Sequence, residues 1–181
     1  MTRIGAMMLA LAALVLAGSP AATAGETVLP FHATAQVTED CGSQCSGLAD
    51  WEVECEAKGY DAGFQAVRVV NASYLGRATS FEQGCLAYST TGAVRSNVQL
   101  TVTAQNGRDS LTFYANVVFD FAQWSVPLNP PPATGTFTIT GGTGRFAQAT
   151  GSGTIGNVFG QGNPGWIIYM DGTLRLRHGN R

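Results

Sequence analysis

From Gly25 onward the chain alternates apolar and polar residues with a period of two, and no stretch keeps a helical period for three turns. The clearest run sets Leu111, Phe113, Ala115, Val117, Phe119 and Phe121 against Ser110, Thr112, Tyr114, Asn116 and Asp120. Leu29, Phe31, Ala33, Ala35 and Val37 alternate with His32, Thr34 and Gln36, and Val98–Ala104 runs into the hairpin signal Asn106-Gly107. Trp51, Val53 and Cys55 against Glu52, Glu54 and Glu56 read as a further strand. Phe64–Asn71, Gly84–Thr90, Thr136–Thr140, Ser152–Phe159 and Gly165–Arg177 complete the set, with Pro127, Pro130, Pro131 and Pro132 confining Gln123–Thr134 to a connection. So many strands with one apolar face each cannot lie as an open sheet, because that face would stay wet. They must close into a barrel or fold into a sandwich.

The stretch Gly135–Gly153, GTFTITGGTGRFAQATGSG, tests a different reading. A strand entering a glycine cluster suggests phosphate binding, but a Rossmann fingerprint needs a long helix after the glycines. Only Arg145–Ala149 has room to be helical before Thr150-Gly151, and no acid lies in Gln161–Gly165, where a ribose ligand belongs. A phosphate-binding lysine loop is excluded as well, since the one lysine is Lys58. What the cluster does suit is a wide or single-helical turn between antiparallel strands, with Phe146 turned inward to plug one barrel end.

Gly141-Gly142-Thr143-Gly144-Arg145-Phe146, followed by Ala149-Thr150-Gly151, also resembles the penultimate hairpin of the allene oxide cyclase and dirigent-like barrels. Tyr74–Thr79, Thr103–Gly107 and Gly135–Phe137 fit the same likeness, which spans residues 64–176. The resemblance implies an all-β fold, a single closed antiparallel barrel of about eight strands. It implies two activities: cyclases of this type close rings on an apolar substrate inside the barrel, and dirigent proteins bind radicals and steer their coupling. No catalytic residue of either group matches onto this chain, and a fold does not carry a function with it. The expected role is to bind or steer a small apolar molecule without metal, nucleotide or other cofactor. A cofactor-independent cyclase or isomerase, and a structural protein with a filled barrel, are the alternatives. The expected ligand-contacting residues are Phe113, Phe119, Phe121, Phe159 and Trp166.

Residues 1–24 read as a secretory signal: basic Arg3, apolar Ile4–Ala17 and the cleavage site Ala22-Thr23-Ala24. The barrel domain is then 25–181, in a secreted or periplasmic protein. The apolar run is too short to span a membrane comfortably, and none like it follows. Ten basic and twelve acidic residues, without a basic cluster, give no footprint for nucleic acid. Cys41, Cys45, Cys55 and Cys85 all follow the signal, an even number in an oxidising compartment. Cys41-x3-Cys45 is within zinc-ligand spacing, but Cys55 and Cys85 make no second close pair, so two disulfides are expected. Three connectivities exist; Cys41–Cys45 with Cys55–Cys85 is the one favoured, with Cys55 on the core face of its strand.

Other chemistry is thin. His32 falls on an outward strand position and His178 in a polar tail, neither placed to activate a serine. Glu52, Glu54 and Glu56 would stand about 7 Å apart on one strand face, which is a solvated surface as readily as a carboxylate pair. Asp120, Asn116 and Tyr114 fall outside by alternation, and Arg77 and Arg145 suit loop bracing at a rim.

Overall fold

In a computed structural model of the chain, eight antiparallel strands close into one barrel in sequence order, with the last strand returning to the first. The structure describes residues 25–36, 48–120, 122, 132–159 and 166–177. The strands are β1 (Glu26–Gln36), β2 (Ala62–Ala72), β3 (Gly76–Ser89), β4 (Gly92–Ala104), β5 (Ser110–Asp120), β6 (Ala133–Thr143), β7 (Thr150–Phe159) and β8 (Trp166–Arg177). One helix, α1 (Leu48–Ala57), precedes β2. The signal segment, Cys41, Cys45, Phe121, most of the proline-rich connection and His178 lie outside the described residues.

The period-2 pattern is what closes the barrel. Phe31 and Ala33, Val98 to Ala104, Leu111 to Phe119, Phe137 and Ile139, Ile155, and Met170 and Leu174 all turn inward and are buried. Their alternates face solvent, as Tyr114 and Val118 do. The turn at Asn106-Gly107 joins β4 to β5 as expected, and the Asn106 side-chain oxygen accepts from the backbone N–H groups of Arg108 and Asp109.

One end of the barrel is plugged. Phe31, Phe113 and Phe137, from β1, β5 and β6, meet with ring centroids 5.7–5.8 Å apart in tilted and edge-to-face pairs. Beyond them the glycine cluster forms a single 3₁₀ turn, Gly144–Phe146, that drives Phe146 into the core. Gly144 has φ 58°, and a side chain there would strike the Asp109 carboxylate. That carboxylate ties the turn to the β4–β5 loop. It accepts from the Arg145 backbone N–H at 3.2 Å and from the Asn106 amide at 3.2 Å, with the Arg145 guanidinium 3.3 Å away. These bonds, the backbone one foremost, hold the Asp109 carboxyl below its ordinary value of 3.8. A depressed carboxyl stabilises the fold above its unfolded pKa, and the contribution disappears as pH falls through the folded one. Asp109→Asn is therefore expected to lower the urea midpoint at about pH 7 and to match the parent at about pH 2. A deficit that persists at the acid end would show that charge is not the cause.

The segment Trp51–Glu56 corrects the sequence reading: it is helical and lies outside the barrel wall. Alanine and glutamate favour helix, and the two residues that matter, Trp51 and Cys55, sit at i and i+4 on one helical face. Cys55 is fully buried in a disulfide to Cys85, whereas Val53, which a strand would place on the same face as both Trp51 and Cys55, is exposed. The Trp51 indole donates to the Gly84 carbonyl at 2.8 Å. The helix comes so close to β2 that a side-chain carbon at Gly63 would stand 2.9 Å from the Trp51 ring. The expected Cys55–Cys85 bridge thus forms, but from a helix onto the outer face of β3. Glu52, Glu54 and Glu56 do not share a strand face: all three are exposed on the helix, and Glu54 pairs with Lys58.

Candidate functional site

Between the phenylalanine floor and the opposite end of the barrel, the interior is hollow. The cavity there measures about 60 Å³ as room open to the centre of a water-sized sphere; one water needs roughly 10–15 Å³ on that measure. It exists because inward positions at this level are small: Ala33, Ala35, Ala115, Ala133 and Ser80, among Val70, Val98, Val117, Ile155 and Met170. Thr34, Ala35, Arg95 and Ile168 are half-buried where it nears the rim.

The expected site residues divide. Phe119 lines the cavity. Phe113 is part of the floor beneath it. Phe121 lies outside the described residues, as do the side chains of Phe159 and Trp166, whose backbones pair with each other across β7 and β8. His32 is exposed on the outer wall, with its Nδ1 2.6 Å from Asp171. Arg145 braces the plugged end through Asp109 and the Tyr74 carbonyl, and Arg77 is exposed at the start of β3.

The polar side of the cavity comes from residues that the alternation did not single out. Arg68 on β2 and Glu82 on β3 form a buried ion pair, Nε to Oε1 at 2.8 Å, with side chains 5% and 11% exposed. Among the described residues each is the other's only side-chain partner. Glu82 and Ser80 line the cavity. Ser80, opposite Arg68 on β2 and Val102 on β4, is fully buried, and its hydroxyl has no hydrogen-bond partner among the described residues.

Arg95 reaches the same chamber through a bulge. Strict alternation back from Val98 would send Ser96 and Val94 inward, but the β4–β5 register shifts between Arg95 and Val98. Asn97, at φ 53°, absorbs the extra residue; asparagine tolerates that region better than most. Arg95 therefore shares the inward side with Val117, and its guanidinium lies 4.6 Å from the Phe64 ring centroid and 5.0 Å from that of Phe119. Stacking against the two rings helps to hold the guanidinium at the rim.

The arrangement offers an apolar chamber with an ion-paired acid, a free hydroxyl and a stacked arginine on its wall. Chemically it can bind an apolar body and contact one polar group, and Glu82 is the side chain able to move a proton at the cavity surface. Compared with protein-family models, curated proteins and solved structures, the chain matches none.

Proposed function

We propose that this protein is an exported barrel that holds a small, largely apolar molecule in the hollow half of its interior, as the likeness to cyclase and dirigent-like barrels suggests. The observation that carries this reading is the cavity above the phenylalanine floor, walled by alanine and valine where larger residues would have filled it. Export is supported by the leader-like residues 1–24 and by the Cys55–Cys85 disulfide, a bond characteristic of oxidising compartments. No helix among the described residues is long and apolar enough to cross a membrane.

The test is uptake of toluene by the oxidised protein, followed by calorimetry and NMR shifts, in parallel with Ala115→Leu. Closed apolar cavities of about 150 Å³ admit benzene-sized guests. The chamber's enclosed part is about 60 Å³, so a ring-sized guest has to extend past the half-buried rim at Thr34, Ala35 and Ile168. The parent is expected to bind toluene saturably, and Ala115→Leu, which puts a larger side chain into the chamber, to weaken binding at least about tenfold with the fold retained. No uptake, or uptake indifferent to Ala115→Leu, would defeat the proposal.

A second reading, a cofactor-independent cyclase or isomerase, is favoured by one observation: the chamber wall includes Glu82, a buried acid held by Arg68. A general acid or base must lie within hydrogen-bond reach of the proton it moves, and Glu82 on the chamber wall is placed to meet that requirement for an occupant that carries the proton to that side.

A further inference from the structure

Resting on the cavity reading, we infer that the occupant is a neutral, apolar molecule carrying a hydroxyl group, anchored between Ser80 and Glu82. A buried hydroxyl without a partner forfeits the water it left behind, at a cost of about 1–3 kcal/mol, and native proteins rarely leave one so. Ser80 is such a group, fully buried on the cavity wall. Glu82, two residues along the same inward face, uses Oε1 for Arg68 and keeps acceptor capacity beyond that one bond. Successive inward positions on a strand are about 7 Å apart at Cα, so one oxygen atom placed between the two side chains is in reach of both.

The chemistry then selects the group. Glu82 accepts and does not donate, while Ser80 is able to donate. A single atom that donates to the first and accepts from the second is a hydroxyl oxygen, that of a guest or of a water the guest displaces. A hydrocarbon satisfies neither. A carboxylate brings a second negative charge beside Glu82 in an apolar wall. Arg68, the cation paired at that site, is already held by Glu82.

The experiment compares three guests of one skeleton, toluene, benzyl alcohol and benzoate, by calorimetry on the oxidised full chain and on Ser80→Ala. Benzyl alcohol is expected to bind about tenfold or more tightly than toluene, with benzoate weakest, a range set by hydrogen bonds to charged groups. Ser80→Ala is expected to bring benzyl alcohol within about threefold of toluene while toluene itself binds as before, which also shows that the variant is folded. Toluene binding as tightly as benzyl alcohol, benzoate binding tightest, or a preference that survives Ser80→Ala would overturn the hydroxyl assignment and leave apolar binding intact. Failure of all three guests to bind would overturn the cavity reading as well.

Discussion

Phe137→Ala is expected to lower the free energy of unfolding by about 3–5 kcal/mol, at the upper end for a single core truncation. The ring touches Phe31 and Phe113 at centroid distances of 5.8 Å and so links three strands. It also covers Gly153 on β7, where a Cβ would come within 2.6 Å of the ring, so no side chain there is ready to fill the gap. The cavity term should consequently be large, because the floor has little freedom to collapse. Urea denaturation of parent and variant measures the difference. A loss of less than about 1 kcal/mol would mean that the three-ring cluster is not what holds the plugged half together.

Glu82→Leu should cost a comparable amount, about 3–5 kcal/mol, because it leaves the buried Arg68 guanidinium charged and unpaired. Adding Arg68→Met is expected to restore most of that loss, since replacing a whole buried pair by apolar side chains of similar volume is often neutral or better. The single and double variants therefore separate the pair's net worth from the penalty of breaking it. A double variant as unstable as Glu82→Leu would show that the two residues support the barrel by packing and not as a charge pair. A fully restored double variant would imply that the pair is kept for what it does in the chamber.

The plugged half of the barrel was legible because its chemistry agrees with its pattern. On β5 and β8 apolar side chains fall at every second position, so the inward face of Leu111–Phe119 or of Ile168–Leu174 can be read directly, and Phe146 plugs the end for which its turn is shaped. Trp51–Glu56 misled because the same residues satisfy a period of two and an i, i+4 pair. Only the seat of Trp51 and Cys55 against Gly63 and Cys85 decides between them.

The polar wall was hidden for a related reason. Around Arg68 the run Ala66-Val67-Arg68-Val69-Val70 is apolar on both parities, so no rule of alternation says which side the arginine takes. On β3 the usual order is reversed, with Phe81 exposed while Ser80 and Glu82 are buried, because Ala78 and the pairing with β2 set the parity. Arg95 needed the bulge at Asn97, which has no strong signature in sequence. By itself the sequence determined that the chain is mostly strand, that its sheet must close into a barrel or fold into a sandwich, and that Cys55 and Cys85 are available to bridge, because each follows from side-chain period and composition over short range. Only the tertiary structure decided that the interior keeps a cavity above the phenylalanine floor and that an acid, a hydroxyl and an arginine line it. Strand register, bulges and the volume left between eight inward faces are properties of neighbours in space, set when the barrel closes.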